Sequence, residues 1–223
     1  MLLQPHPSPI LPASFYQRHS LTVARELLGC LLVRRLPDGR VLSGRIVETE
    51  AYTPADPSCH AHRGESARAR SMFQDGGIAY VYLIYGMYHC LNVVTQAAGE
   101  GAAVLIRAVE PLDGVEQMIG ARGTSRIRDL ARGPGRLCQA FQIDRALDGA
   151  CVTASACPLS IQPSEPLPDV VVAQTPRIGI NVSAAAIAAP WRLIVRENSF
   201  VSGTRRQNQG QIYTPTLEWF DSL

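Results

Sequence analysis

A single domain that mixes short helices with a larger set of strands is what this sequence predicts, and three observations carry the expectation. At 223 residues the chain fits one large domain or two small ones, yet no linker and no internal repeat divides it. Alternating or continuous apolar runs are bounded by turns containing proline and glycine, as strands and hairpins are. Segments with helical apolar spacing are few and lie between those runs. Apolar residues make up 46% of the chain, an ordinary share for a protein that buries a core.

Taken in order, residues 1–14, with Pro5, Pro7, Pro9 and Pro12, read as a flexible arm. The apolar spacing over Leu21–Leu32 predicts an opening helix. Leu31-Leu32-Val33 then leads into a hairpin that turns at Pro37-Asp38-Gly39. Val41–Tyr52 reads as a strand with Ile46, Glu48 and Glu50 on one face and Val47, Thr49 and Ala51 on the other. Two acids on one strand face, ending beside Tyr52, are unusual. Residues 53–76 are rich in Pro, Ser, Arg and Gly and predict a long loop, or a loop with a short helix. Long loops in compact domains are often functional.

Four of the seven tyrosines follow within one short run, as Tyr80, Tyr82, Tyr85 and Tyr88. Tyr80 and Tyr82 share one strand face, with Val81 and Leu83 on the other. Tyr85-Gly86-Met87 reads as a turn, because Gly86 can take positive φ. An aromatic hairpin of this kind could stack on, or wedge between, flat rings such as nucleobases. The alternative is an aromatic core strand, since aromatics are enriched in strands. Leu91–Thr95 and Ala102–Ala108 form a further strand pair around Gly99-Glu100-Gly101. Helices are expected at Leu112–Ile119 and, after Gly133-Pro134-Gly135, at Arg136–Phe141. Residues 151–176 hold five prolines and few charges and read as a surface excursion. Trp191–Val195 closes the sheet.

The formal charge of +2 is nearly neutral, so no global field points to nucleic acid. All 21 basic residues are arginine, and six of them (Arg122, Arg126, Arg128, Arg132, Arg136 and Arg145) fall in one stretch. The arginine fork suits phosphate better than a point charge does. The six cysteines form no C-x-x-C pair, and several sit among apolar neighbours, as reduced core cysteines do. No secretory signal and no apolar run long enough for a bilayer is present, which predicts a cytoplasmic protein that meets no membrane.

Glu48 and Glu50 are candidates for acid–base chemistry or for a salt bridge at the strand end. Cys59-His60-Ala61-His62, with Glu50 or Asp56, invites a metal reading, but H-x-H is weak and no second cluster follows, so no metal is expected. Arg107 ends the apolar run Val104-Leu105-Ile106, and its burial would demand an anionic partner. Asn92 could bond a base edge or tie down a loop. Without a G-x-G-x-x-G or a P-loop, no cofactor is expected.

In these segments the sequence resembles the alkyladenine (3-methyladenine) DNA glycosylase family of the kind found in mammals. The carrying residues are Gly44 through Tyr52, Asp56 through His60, Met72-Phe73, Tyr80 through Asn92, and Val104 through Pro111. Gly133-Pro134, Leu137 through Ala140 and Arg177 through Ile180 complete them. The likeness covers nearly the whole chain, from about Phe15 to about Ser202. It implies an α+β glycosylase domain over residues 15–203, with 204–223 a tail of no assigned role. That domain has a curved, mainly antiparallel sheet, flanking helices and a protruding β-hairpin that enters the DNA minor groove.

The resemblance further implies a monofunctional, monomeric DNA glycosylase acting on double-stranded DNA that contains damaged purines. Glu50 matches the catalytic base that activates a water, and Arg107 and the Ile178 carbonyl match the groups that hold it. Tyr52, His60 and Tyr82 match the walls around the flipped base, favouring cationic purines. Asn92 matches the residue that crowds guanine's amino group, and Tyr85 the wedge left in the duplex. Glu48 is taken as structural, and His62 and Glu65 have no assigned role. The family needs no lysine nucleophile, and the sequence offers none. The arginines of 122–136 fit a phosphate-gripping role. Two other readings stand beside this one. The first is a non-catalytic binder of damaged DNA, and the second a metal-dependent hydrolase built on His60, His62 and Glu50.

Overall fold

Alternation of apolar with polar or aromatic side chains folds nine strands of the described residues into one antiparallel sheet. In the computed structural model the described residues are 9–215. The strands are β1 (Leu31–Arg35), β2 (Val41–Tyr52), β3 (Ala79–Ile84), β4 (Tyr88–Thr95) and β5 (Ala102–Pro111), then β6 (Leu159–Gln162), β7 (Val172–Thr175), β8 (Arg192–Val195) and β9 (Gln211–Ile212). Their order is β3-β4-β5-β2-β8-β7-β9, with β1 bridging β2 and β6. β2 is the hub: β5 runs along one side, and β1 and then β8 share the other.

The helices are α1 (Ala13–Tyr16), α2 (Ser20–Leu27), α3 (Val115–Arg122), α4 (Pro134–Ala140) and α5 (Ala184–Ala188). α2 and α4 contribute to the main core, where Leu27, Leu137 and Phe141 meet Val81, Leu91, Val104 and Ile106 from the sheet. On the opposite face Tyr80, Val94 and Ala103 pack with Cys59, Ala61 and Met72 from the long loop. A third small cluster joins Val47, Ala108, Ala173, Ile194 and Val201.

Strict alternation fails at one place, and the failure shapes the molecule. Ile46 pairs with Val109, Glu48 with Ala108, and Thr49 with Ile106, so Val47 and then Arg107 are each skipped. The two irregularities cancel, and the register after them is the register before them. Each β-bulge sends two successive side chains to one face. Ile46 therefore lies in the main core with Ala51, while Val47 joins the cluster on the far face. The expectation that Ile46 shares a face with Glu48 and Glu50 is corrected by this bulge.

Other boundaries shift for local reasons. The opening helix stops at Leu27, because Leu28 turns extended and Gly29 takes φ +92°. Its N–H then bonds the Ile46 carbonyl at 2.8 Å. α3 starts and ends three residues late. α4 starts early because Pro134 occupies its first turn, where a missing N–H is harmless. Residues 151–176 are not a surface excursion, since β6 and β7 bury Leu159, Ile161 and Val172. Pro158 and Pro163 flank β6 directly, and Pro168 and Pro176 bracket the β7 segment without interrupting it. β8 does not close the sheet but lies between β2 and β7.

The described part of the arm is docked as well. The Leu11 N–H bonds the Ile161 carbonyl at 2.9 Å, and Leu11 is buried. Residues 1–8 of the expected arm, and 216–223 of the expected tail, lie outside the described residues. Within the tail, β9 pairs with β7.

β3 has no strand on its outer side. The segment 145–151 covers it instead: Arg145 Nη1 donates to the Val81 carbonyl at 2.9 Å, and the Val81 N–H donates to Asp148 Oδ1 at 2.9 Å. Ala79 exchanges backbone hydrogen bonds with Gly149 and Ala150.

Gly44 shows how tightly the β2–β5 junction is packed. A Cβ there would meet the Glu110 carbonyl oxygen and Val109 Cγ2 at 2.9 Å each, and Phe141 Cζ at 3.2 Å. Gly44→Ala is expected to lower the unfolding free energy by about 1–3 kcal/mol. Urea denaturation would show this as a lower midpoint at unchanged slope.

Candidate active site

The residues of the sheet's second face converge on one cavity of about 360 Å3, within the range of small-molecule sites. β3 supplies Tyr80 and Tyr82, β4 supplies Cys90 and Asn92, β5 supplies Leu105 and Arg107, and β2 ends there at Tyr52. Ser58 and His60 enter from the long loop, Met72 from the short 3-10 turn, and Ile178 to Ile180 from the connection after β7. Among the expected residues, Tyr52, His60, Tyr82, Tyr85, Asn92, Arg107 and Ile178 all line it.

Glu50 lies directly behind this lining and is fully buried. Three of the lining residues hold it. Tyr52 Oη donates to Oε2 at 2.9 Å, and the Ile178 N–H donates to Oε1 at 2.8 Å. Arg107 Nη1 stands 3.2 Å from Oε2. Ile178 thus reaches Glu50 through its amide. Arg107 also donates through Nε to Glu48 Oε1 at 2.9 Å. Glu48 receives Arg192 Nε at 2.6 Å and both the N–H and Oγ of Ser202, at 2.7 and 2.9 Å. Arg192, Glu48, Arg107 and Glu50 therefore form a buried chain of alternating charge.

Burial and charge fix the protonation states around it. Burial alone would raise the Glu48 pKa, but Arg107 and Arg192 outweigh it and hold the carboxyl below its ordinary range. Burial opposes charge on Arg107 too, yet Glu50 and Glu48 more than offset it and push the guanidinium further up. Burial, with Glu50 next, lifts the Tyr52 phenol well above its usual value, and burial does the same for Tyr82. His60 is lowered by burial and by Arg68 nearby, so its ring is neutral near pH 7. The cavity wall is thus aromatic and uncharged except at Arg107.

The aromatic wall is braced from behind. Tyr80 and Tyr82 stack with centroids 5.3 Å apart, and His60 meets Tyr82 edge-on at 4.6 Å. His60 Nδ1 lies 2.9 Å from Tyr80 Oη, whose pKa burial pushes up to about 12. Asn92 Nδ2 donates to the Tyr80 carbonyl at 3.0 Å. Tyr80 and Tyr88, which have no site role among the sequence expectations, both line the cavity; Tyr80 shares a strand face with Tyr82, and Tyr88 lies just past the turn.

A second buried ion pair holds the two loops together. Arg177 pairs with Asp56 and donates to the Ala51 carbonyl at 3.0 Å. Its guanidinium carbon lies 4.7 Å from the Tyr52 ring centroid and 4.9 Å from that of Trp191, so two π faces flank the cation. Asp56 also accepts from the Ser58 N–H at 2.9 Å, which anchors the loop carrying His60. His62 turns away, exposed, with Nδ1 3.1 Å from the Pro54 carbonyl. His60, His62 and Glu50 do not converge, and among the described residues no three His, Cys, Asp or Glu side chains are grouped to hold a metal.

The hairpin projects beyond the cavity. Tyr85 and Gly86 have φ +54° and +70°, the paired positive values of a type I′ turn. Tyr85 is 82% exposed and Met87 66%. At the hairpin base a second hollow is lined by Tyr88, Arg122, Arg132 and Arg136. The arginine stretch is partly committed to the protein: Arg128 donates to the Ser199 carbonyl, Arg132 to Val201 and Gly203, and Arg136 to Asp129.

Comparison with known proteins places this geometry. The model of the methylpurine-DNA glycosylase family matches residues 14–199. A protein of Herpetosiphon aurantiacus is 59% identical over 216 residues, which is 96% of this chain and 97% of that protein. One from Methanocella arvoryzae is 50% identical, covering 87% of this chain and 96% of the relative. One from Myxococcus xanthus is 48% identical, covering 86% and 93%. All three carry the name "Putative 3-methyladenine DNA glycosylase".

The charge chain has a consequence for stability. Glu48 holds a lower pKa folded than unfolded, so its ionisation contributes stability above about pH 4.3, which is lost as pH falls through the lower folded value. Glu48→Gln is expected to cost about 3–5 kcal/mol near neutrality by unpairing buried arginines. The gap from wild type should narrow below about pH 4, as read by urea unfolding at a series of pH values.

Proposed function

Because this chain belongs to the methylpurine-DNA glycosylase family, we propose that it excises alkylated or deaminated purines from duplex DNA. It does so by hydrolysing the N-glycosidic bond and leaving an abasic site. The observation that carries the reading is the buried Glu50 carboxylate behind an aromatic cavity, with all three of its partners lining the cavity wall. A non-catalytic binder of damaged DNA would have no use for such a group.

In this reading the damaged nucleotide rotates out of the helix and its base enters between Tyr52 on one side and His60 with Tyr82 on the other. Neutral phenols and a neutral imidazole offer π faces without positive charge, which suits a cationic alkylated purine. Asn92, tied to the Tyr80 carbonyl, stands rigidly at the base edge and excludes guanine's exocyclic amine. Glu50 takes a proton from water as the water oxygen bonds to C1′, and the electrons of the broken C1′–N bond leave with the purine. A purine alkylated at N3 or N7 is already cationic, so those electrons neutralise it and it departs as a stable base, whereas a neutral deaminated purine leaves as its anion and takes up a proton from water. Arg107 and Ile178 orient the carboxylate and the water.

Tyr85, presented at the tip of a turn with no side chain over it, fills the space left in the minor groove. The guanidinium groups beside Tyr88 meet the DNA backbone, and binding weakens with salt accordingly.

Incubation with duplexes carrying 3-methyladenine, hypoxanthine or ethenoadenine, with detection of freed base, decides between enzyme and binder. Release of base from at least one is expected; tight lesion binding without release would support the binder. Glu50→Gln should lower single-turnover release at least ~100-fold while lesion affinity is kept; retained release would remove Glu50 as the base. Tyr85→Ala should weaken binding to a lesion duplex by about 1–3 kcal/mol, measured by fluorescence anisotropy. Unchanged affinity would exclude the wedge.

A further inference from the structure

Glu48 takes no direct part in the proposed hydrolysis, yet it competes for the same cation as Glu50. Arg107 offers Nε to Glu48 at 2.9 Å and Nη1 to Glu50 at 3.2 Å, so its charge is divided between two fully buried carboxylates. Glu48 is itself saturated by Arg192 and by two donors of Ser202. It is a fixed anion, locked where the β2 and β5 bulges meet. Were Arg107 to face Glu50 alone, a buried bidentate pair would stabilise the charged carboxylate and leave it a poor proton acceptor.

We propose that Glu48 is a positioning residue that sets the proton affinity of Glu50, by drawing the Arg107 guanidinium to itself and adding a fixed negative charge on the same strand face. The role of this affinity in catalysis rests on the reading of Glu50 as general base. Other groups also face Glu50. Tyr52 lies on its own strand, Tyr82 and Cys90 reach it from β3 and β4, and Arg177 precedes Ile178. Arg192 sits opposite it on β8 but spends its Nε on Glu48. Among the described residues Arg107 is the guanidinium within ion-pair distance of Glu50, while Arg177 is committed to Asp56 and Arg192 divides its donors among Glu48, Thr175, Ser202, Gln207 and Asn208. Arg107 is therefore the cation through which Glu48 can act.

Two readouts test this, applied to wild type, Glu48→Gln and Ser202→Ala. One is the titration of the Glu50 carboxyl followed by carbon-13 NMR, assigned by its loss in Glu50→Gln. The other is the pH dependence of single-turnover base release from a hypoxanthine duplex. Glu48→Gln should move the Glu50 midpoint and the acid limb of the rate profile down by about one pH unit and slow the plateau several-fold. Ser202→Ala removes one donor from Glu48, so Glu48 leans harder on Arg107, and both readouts should move up by a smaller step. If Glu48→Gln does not fold, Ser202→Ala alone decides. A Glu50 midpoint that stays put in a folded variant overturns the proposal, whatever happens to the rate. A midpoint that moves while the rate profile does not supports the coupling and removes Glu50 as the base.

Discussion

One buried guanidinium between two carboxylates constrains the rest of this protein. Arg107 cannot be left uncompensated in the interior, and among the described residues it is the cation that pairs with the buried Glu50. A regular β2–β5 ladder would set Arg107 opposite Glu48 but leave all three groups on the face of Ile46 and Val109, in the main apolar core. The paired bulges at Val47 and Arg107 turn them away from that core, within hydrogen-bond reach of one another, while preserving the register on both sides. Glu48 then requires partners of its own, and these come from β8 through Arg192 and from the following loop through Ser202. Arg192 in turn is satisfied by the Ser202 and Gln207 carbonyls and by Asn208. The fold of the C-terminal segment is therefore dictated by charges on a strand far earlier in the chain.

The second ion pair does for the loops what the first does for the sheet. Arg177 and Asp56 lie more than a hundred positions apart, on two segments that carry no regular structure where they meet. Their contact fixes the loop that presents His60 and the connection that presents the Ile178 amide, so the wall and the back of the cavity share one anchor. The Arg177 Nε has no hydrogen-bond partner; it lies between the Tyr52 and Trp191 rings, whose π faces stand in for one. A site assembled this way is rigid before any ligand arrives, which is the condition for electrostatic preorganisation.

Much of this was legible in the sequence, and the exceptions have physical causes. Period-two alternation placed Tyr80 with Tyr82, and the Tyr85-Gly86-Met87 turn was readable from one glycine. The same alternation misassigned Ile46, because a bulge inserts a residue without leaving any mark in composition. β6 and β7 were hidden by their prolines, which read as loop signals but mark strand ends here. The Ser183 cap before an alanine run signalled α5, a cue passed over because the run is short. Glu48, Glu50 and Arg107 were visible as candidates, but that Arg107 bridges the two carboxylates could be read only once the strands were paired. The Ile178 contact comes from a backbone N–H, and no side-chain pattern encodes which amide will face a carboxylate.

The outer edge of β3, sealed by Arg145, Asp148 and the backbone of residues 149–150, bears on the solution behaviour of the molecule. This strand carries two of the cavity's aromatic walls and leads into the most hydrophobic exposed tip of the structure. An open edge in that position would be a template on which another chain could add a strand. It would join copies of the protein through the face that borders the cavity. One carboxylate and one guanidinium, each posing as a backbone partner, close that template together with the backbone of residues 149–150. The edge beside the exposed Tyr85 and Met87 is thereby closed to strand addition, and the hairpin tip stays open to solvent.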